Sequence, residues 1–250
     1  MEANVSLHNE LVRHGEWLFR RRSYLPLALI TLVGVAFIRF DWPFNSFLIH
    51  QIWEFACLGL SFIGLLIRIV AIGYAPAGTS GRNTTHQIAA ELNTTGIYSV
   101  VRHPLYLGNF LIGFGISLIQ LVWWLPVIYV LAFWLYYERI VLTEEEFLHA
   151  TFGNQFEDWA CSTPAFLPNF TLWKRPALPF SVLNVLRREH TALLVVVLGH
   201  TGVEFVERLI MDHRLVWEPF WVIFVTVGAM IYIGLRMLKK HTTLLNVAGR

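Results

Sequence analysis

Long apolar segments dominate this sequence. A transmembrane helix needs about 20 mostly apolar residues, and six segments meet or nearly meet that length: Tyr24–Phe40, Ser46–Tyr74, Leu105–Trp123, Leu125–Leu142, Ala192–Met211 and Val216–Leu238. Only 14% of the 250 residues are charged, 56% are hydrophobic, and the mean hydropathy is +0.54. Ordinary soluble domains carry about 25% charged residues, so a cytosolic enzyme, a disordered chain and a nucleic-acid-binding protein are excluded. The prediction is an all-α, polytopic transmembrane bundle of about six spans.

The distribution of Lys and Arg predicts how this bundle is oriented. With six spans and a cytoplasmic N-terminus, 15 of the 19 basic residues fall on the cytoplasmic side, three fall outside, and Arg68 lies within a span. Cytoplasmic loops carry this excess of positive charge. The two long loops, Ala75–Pro104 and Thr143–Glu189, are then cytoplasmic, while Trp123–Pro126 forms a tight interfacial hairpin on the other side. A site is therefore expected at the cytoplasmic interface.

The segment Gly96–Gly108 is the first candidate for chemistry. Pro104 suits the first turn of a helix, so Arg102 and His103 lie at the start of the third span, beside its free amide groups and positive dipole end. An anionic group there would meet a guanidinium, an imidazole and N–H donors. Tyr106 follows within one turn. The alternative is a snorkelling arginine and an interfacial histidine that only anchor the helix.

An acidic segment, Glu144–Glu146, directly follows the fourth span, and the sequence from there to Trp159 is typical of an amphipathic helix lying on the membrane. Three adjacent carboxylates point in different directions on a helix, so at most two of them can face one pocket. These residues could bind a cationic ligand. The alternative is a solvated helix start.

Two weaker candidates remain. The loop Gly78–Thr84 is rich in glycine and hydroxyls and could hold an anion, although an ordinary polar turn explains it equally well. The fifth span contains His200, Glu204, Glu207 and Arg208. Glu204 is four residues from both His200 and Arg208, the spacing of neighbours on one helix face, and intramembrane ionisable groups are functional candidates by default. The alternative is an internal salt bridge near the outer end, where Glu207 and Arg208 reach water. No metal site is expected, because no second cluster with ligand spacing is visible and the two cysteines form no C-x-x-C motif.

A family resemblance rests on Gly-Ile-Tyr-x-x-Val-Arg-His-Pro-x-Tyr-x-Gly at 96–108, the following hairpin, Glu145-Glu146, Phe152-Gly153 and a downstream proline. This combination resembles the integral-membrane methyltransferases typified by isoprenylcysteine carboxyl methyltransferase and the phospholipid methyltransferases. The resemblance covers about Thr94–Pro168. One departure is that Phe156 and Trp159 stand where family members often carry two tyrosines.

The resemblance implies S-adenosylmethionine as cofactor, bound without a Rossmann domain in a pocket that faces the cytoplasm. Carried over by position, it assigns cofactor binding to Gly96, Tyr98, His103, Tyr106, Leu107, Gly108, Glu145 and Glu146. Arg102 would lie nearest the acceptor, with Arg82 and Arg139 as further substrate-binding residues, and Arg102 and Glu145 would act in catalysis. The chain then divides into a cytoplasmic N-terminal segment (1–23), two transmembrane helices (24–74), a catalytic core (75–170), a cytoplasmic linker (171–191) and a C-terminal helix pair with a tail (192–250).

The acceptor is expected to be the polar head of a lipid or prenylated molecule within the bilayer. An anionic oxygen, phosphate or carboxylate, is favoured because Arg82 and Arg102 share one loop region. The alternative is a phosphatidylethanolamine-type nitrogen, for which Glu145 or Glu146 would act as base. A non-catalytic transporter or channel is the alternative of another class, although no span is broken at mid-membrane as transport sites usually require.

Overall fold

The structure is a computed structural model that describes residues 7–21, 25–40, 46–79, 89–214 and 218–250. These residues form eight α-helices: α1 (Leu7–Arg21), α2 (Leu25–Ala36), α3 (Phe47–Tyr74), α4 (Pro104–Leu118), α5 (Trp124–Phe152), α6 (Asn154–Ser162), α7 (Val182–Asp212) and α8 (Pro219–His241). Within these ranges no strand occurs, and one isolated bridge pairs Gly96 with Lys174. The predicted all-α class is confirmed.

Three of the described helices, α3, α5 and α8, are long and apolar enough to cross a membrane, and α4 is a shorter apolar helix. The predicted first span is interrupted, because α2 ends at Ala36 and a 3₁₀ turn follows at Phe37–Arg39. The predicted fifth span lies inside the longer α7, which begins at Val182. Membrane-spanning helices are therefore confirmed, while a total of about six spans stays a prediction.

The acidic segment belongs to the same helix as the fourth predicted span. Helix α5 continues from Trp124 through Glu144–Glu146 to Phe152 and ends at Gly153, which adopts a φ of +53° that favours glycine. The expectations of a helix start at the acidic residues and of a separate helix up to Trp159 are wrong, because α5 simply extends beyond its apolar part. A short turn at 119–123 joins α4 to α5, so the tight connection lies just before the predicted hairpin at Trp123–Pro126, most of which belongs to α5.

Small residues bring α3 and α4 into close contact. A Cβ atom added at Gly108 would lie 2.7 Å from the carbonyl oxygen of Gly64, and one added at Gly64 would lie 2.6 Å from that of Gly108. Gly115 packs in the same way against Ser61, whose hydroxyl donates to the carbonyl of Ile112 at 3.0 Å. Close backbone approach of this kind is a common means of helix association in membranes.

Polar side chains join α7 to α3 along their lengths. The contacts follow antiparallel order: Asn184 Nδ2 with the Ile72 carbonyl (2.8 Å), Glu189 with Arg68 (2.7 Å), His200 Nε2 with Ser61 Oγ (2.9 Å) and Glu207 with His50 Nε2 (2.8 Å). The residues of α7 in these contacts are all buried. The two helices are therefore held in register by four hydrogen-bonded contacts, and α7 covers the α3 face beside the α3–α4 contact.

Candidate functional site

The motif segment is braced from both sides before α4 begins. Gly96 has a φ of +59° and opens a 3₁₀ turn at Ile97–Ser99. Its amide donates to the carbonyl of Lys174 at 3.0 Å, and the Lys174 amide donates to the Ser99 hydroxyl at 2.8 Å. The chain around Lys174 thus holds the turn that carries Tyr98.

Helix α6 and the chain after it hold the next part of the motif. The indole Nε1 of Trp159 donates to the carbonyl of Tyr98 at 3.0 Å, and the amide of Arg102 donates to the carbonyl of Pro164 at 2.9 Å. Trp159, which departs from the family pattern, is therefore a support for the motif backbone. The hydroxyl that a tyrosine would offer there is replaced by an indole N–H that is already bonded.

Five side chains from α4 and α5 meet where α4 begins, and we call them the motif cluster: Arg102, His103, Tyr106, Glu144 and Glu145. Arg102 Nη1 lies 3.1 Å from Glu145 Oε2, and His103 Nε2 lies 2.8 Å from Glu145 Oε1. The Tyr106 hydroxyl donates to Glu144 Oε2 at 2.8 Å. Two carboxylates from α5 thus face a phenol from α4 and, from the two residues just before α4, an arginine and an imidazole.

The acidic side chain beside Glu145 is Glu144 rather than Glu146. Glu146 is exposed, whereas Glu144 and Glu145 are partly buried against the start of α4. This agrees with the argument that at most two of the three carboxylates can face one pocket. Glu144 is therefore a member of this site that the sequence resemblance did not name, while a cofactor role for Glu146 stays a prediction.

Leu107 and Gly108 complete the predicted cofactor set, and their surroundings differ. Leu107 is half-buried. Gly108 faces α3, where an added Cβ would lie 2.5 Å from Cγ of Arg68. Gly108 is therefore needed for helix packing, whatever else its backbone contacts.

The structure describes two of the three predicted substrate arginines, and it does not bring those two together. Arg82 lies outside the described residues. Arg139 donates from Nη1 to the carbonyl of Leu135, and its own carbonyl lies against Gly15 of α1. Arg139 is thus on the side of α5 that packs against α1, whereas Arg102 lies on the α4 side. Of the three, only Arg102 is in the motif cluster.

A polar network that the sequence did not predict lies next to the motif cluster and joins α3, α4, α5 and α7. Arg68 donates from Nε and Nη2 to Glu189 at 2.7 and 2.9 Å and from Nη1 to Asn109 Oδ1 at 2.6 Å. Asn109 in turn donates to the hydroxyl of Tyr137 at 3.3 Å, and the Tyr137 ring packs 4.7 Å from the Tyr106 ring. The only sign of this network in the sequence was the charged Arg68 within an apolar span. Its partner Glu189 is 121 positions away in the sequence, so no local pattern connects the two.

Tyr98 is the one group at this site with a clearly displaced titration. Burial raises the pKa of its hydroxyl well above the ordinary value of 10, and the negative charge of Glu144 raises it further, against smaller opposing effects of Arg188 and Arg68. The Tyr98 hydroxyl is therefore protonated at neutral pH and available as a hydrogen-bond donor.

Comparison with known proteins gives a family match. Residues 47–155 match the family model of the phospholipid methyltransferases. The chain is 35% identical over 132 residues to the nickel-cobalt-cadmium resistance protein NccN of Alcaligenes xylosoxydans xylosoxydans, covering 50% of this chain and 58% of that protein. It is 28% identical over 134 residues to the protein-S-isoprenylcysteine O-methyltransferase of Schizosaccharomyces pombe, covering 50% of this chain and 55% of the other.

A protein-S-isoprenylcysteine O-methyltransferase of Dictyostelium discoideum is 28% identical over 178 residues, with coverage of 64% and 68%. The chain spans a little over half the length of the first two relatives. No solved structure matches it significantly. The family match also begins earlier than the sequence resemblance did, since it includes α3 from Phe47. The resemblance seen in the Arg102–Gly108 motif is thus confirmed, and over residues 47–155 this chain is similar to the phospholipid methyltransferase family.

Proposed function

We propose that this protein is a membrane methyltransferase that uses S-adenosylmethionine to methylate the polar head of a lipid or prenylated acceptor, with the anionic oxygen of a phosphate or carboxylate as nucleophile. The observation that carries this proposal is the motif cluster, in which Arg102 and His103 at the start of α4 share the carboxylate of Glu145. The relatives whose names state an activity transfer methyl groups to isoprenylcysteine.

The charges and donors of the cluster fit the proposed methyl donor. S-adenosylmethionine carries an amino group, a sulfonium and ribose hydroxyls, which suit carboxylates, and a carboxylate, which suits a guanidinium or an imidazole. Glu144 and Glu145 supply the carboxylates, and Arg102 and His103 supply the guanidinium and the imidazole. Among the described residues, Nε of Arg102 is a buried donor without a hydrogen-bond partner in the protein, as expected if a ligand completes its surroundings. When bound, the cofactor supplies a methyl group on a positively charged sulfur.

The residues of the chain then have simple tasks, because an anionic nucleophile is already ionised at neutral pH. Arg102 orients the acceptor oxygen, and its position is held by Glu145 and by the backbone bond to Pro164. His103, which is buried, holds the other oxygen of Glu145. Alignment of the reacting groups and exclusion of water supply most of the rate in such a transfer.

Transfer to an amine is the second candidate, and the charge balance of the cluster favours it. Two carboxylates, those of Glu144 and Glu145, face a single guanidinium, that of Arg102. A cationic head group would be attracted by this excess of negative charge, and one carboxylate could accept the proton that an ammonium must lose before it attacks.

The purified full-length protein in lipid nanodiscs, incubated with S-adenosylmethionine labelled in its methyl group and a total lipid extract, separates these candidates. The labelled product is identified by mass, and turnover and S-adenosylhomocysteine affinity are measured for Arg102→Lys and Glu145→Gln. Exposed Arg20→Lys serves as the matched control. With an anionic acceptor, Arg102→Lys lowers turnover by roughly 30- to 1,000-fold, because lysine lacks the bidentate fork and a charged hydrogen bond in such a site contributes on the order of 2–4 kcal/mol.

Three results bear directly on the proposal. Near-normal turnover of Arg102→Lys together with loss in Glu145→Gln would replace the anionic acceptor with an amine. Labelled product on an ethanolamine lipid would lead to the same conclusion independently of any variant. If the wild-type protein neither bound S-adenosylhomocysteine nor labelled any molecule in the extract, the methyltransferase proposal itself would be wrong.

A further inference from the structure

A second group of buried polar side chains lies far from the motif cluster, between α3 and α7. His50 and Glu54 are one turn apart on α3, and Glu207 faces them from α7. His50 Nε2 lies 2.8 Å from Glu207 Oε2 and 3.7 Å from Glu54 Oε1. One ligand atom from each residue lies within 4.8 Å of the other two. All three side chains are at most 2% exposed, so the expectation that Glu207 reaches water is wrong.

Negative charge exceeds positive charge in this region. Glu54 interacts with both Glu204 and Glu207, which makes three buried carboxyl groups in mutual contact. Arg208 is the guanidinium beside them, and it forms an ion pair with Glu204 at 3.0 Å, as the four-residue spacing predicted. Arg208 also contacts two partly exposed carboxylates, Asp212 and Glu218. The guanidinium of Arg208 also attracts Glu54, but one guanidinium cannot neutralise three buried carboxylates, and burying carboxylates is costly unless a cation or protons neutralise the others.

The oxygens of this region also lack donors. Among the described residues, Glu54 Oε2, Glu207 Oε1 and Glu204 Oε2 are buried side-chain oxygens without a hydrogen-bond partner. Buried polar atoms in folded proteins almost always have a partner, and an exception indicates a bound water, ion or ligand. This observation is independent of the ligand spacing, and it points to the same place.

We propose that His50, Glu54 and Glu207 bind one divalent first-row transition-metal ion, such as Zn²⁺ or Co²⁺. Two carboxylates balance a dication, and one imidazole with two carboxylates is a donor set that such ions accept. Ligands about 2.0–2.2 Å from a tetrahedral ion lie roughly 3.3–3.6 Å apart, so the His50–Glu207 pair at 2.8 Å would open and the widest pair, at no more than 4.8 Å, would close by about 1.2 Å. Ca²⁺ and Mg²⁺ prefer six or more oxygen ligands and reject imidazole.

This site is separate from the proposed methyl-transfer site. His50 lies 18 residues before Arg68 on the same helix, which at 1.5 Å per residue is about 27 Å along the axis of α3. A metal there would link the N-terminal part of α3 to the C-terminal part of α7. Sequence patterns predicted no metal site because α3 offers only the pair His50 and Glu54, and the third ligand, Glu207, lies 157 positions after His50 on another helix.

The test uses the full-length protein, stripped with a chelator and then titrated with Zn²⁺ alone by equilibrium dialysis. We expect one tightly bound Zn²⁺ per chain, and Co²⁺ substitution should give the ligand-field absorption of a low-symmetry, four-coordinate ion. Glu207→Gln and Glu54→Gln should each weaken Zn²⁺ binding by at least 100-fold. His200→Gln is the matched control, because His200 is a buried histidine on the same helix pair that contacts Ser61 instead, and it should keep the wild-type affinity.

A measurement on the wild-type protein covers the case in which a variant fails to fold. Stoichiometric Zn²⁺ should raise the melting temperature of the stripped wild-type protein, whereas Mg²⁺ at the same concentration should not. Several weak sites without saturation at one equivalent, or no uptake of Zn²⁺ and Co²⁺ at all, would overturn the proposal and leave a cluster neutralised by protons. Equal Zn²⁺ affinity in the wild type and in folded Glu207→Gln would overturn it as well. Neither result depends on methyltransferase activity.

Discussion

The buried ion pair between Arg68 and Glu189 gives the sharpest test of the packing beneath the motif cluster. Arg68 uses three of its nitrogens: Nε and Nη2 bind Glu189, and Nη1 binds Asn109. Arg68→Met keeps most of the apolar stem but removes both charged donors from Glu189, which is 4% exposed. Removing one partner of such a pair costs about 3–5 kcal/mol, because the remaining charge stays buried.

The membrane setting lowers this value. Hydrogen bonds between transmembrane helices contribute on average only about 0.6 kcal/mol each, so loss of the neutral contact with Asn109 adds little. The charge of Glu189 dominates, and we expect Arg68→Met to lower the free energy of unfolding by about 3 kcal/mol. In the double variant Arg68→Met/Glu189→Leu no charge is left without its partner, and most of that loss should be recovered.

The assay is reversible unfolding in mixed micelles, followed by far-ultraviolet circular dichroism, for the wild type, both single variants and the double variant. The exposed pair Arg20 and Glu16, 3.9 Å apart on α1, supplies the control cycle, in which removal of the arginine should cost less than about 1 kcal/mol. If the double variant lost as much stability as the two single variants combined, the pair would not be coupled. The proposed role of this network would then be refuted.

Two further predictions concern packing and topology. Gly108→Ala should lower the melting temperature and impair α3–α4 packing, because the new methyl group meets Arg68 Cγ at 2.5 Å and the Gly64 carbonyl oxygen at 2.7 Å. Unchanged stability together with lost S-adenosylhomocysteine binding would assign Gly108 to the cofactor alone. For topology, single cysteines are placed at two exposed positions in a chain that lacks Cys57 and Cys161. Thr171→Cys should react with a membrane-impermeant thiol reagent from the cytoplasmic side, and Trp123→Cys should react from the opposite side. Labelling of both from one side would contradict the proposed orientation.

Local sequence patterns predicted those features that depend on a single stretch of chain. Apolar length predicted three helices, α3, α5 and α8, that are long and apolar enough to cross a membrane, and Pro104 placed the start of α4 correctly. The end of α5 could not be predicted in the same way. Its apolar part stops near Leu142, but a helix needs no apolar face where it leaves the bilayer, so α5 continues to Phe152. That extension decides which carboxylate lies beside Glu145.

Contacts between two helices could not be predicted from the sequence for a different reason. Spacing within α7 predicted the pair Glu204 and Arg208, which the structure contains, but it also suggested that His200 pairs with Glu204, whereas His200 contacts Ser61 on α3. An intramembrane polar group must find a partner, and the sequence shows that need without showing where it is met. Only the antiparallel packing of α3 on α7 brings Glu189 to Arg68 and Glu207 to His50. In a membrane bundle, the polar residues that look isolated in the sequence are therefore those whose partners lie on another helix.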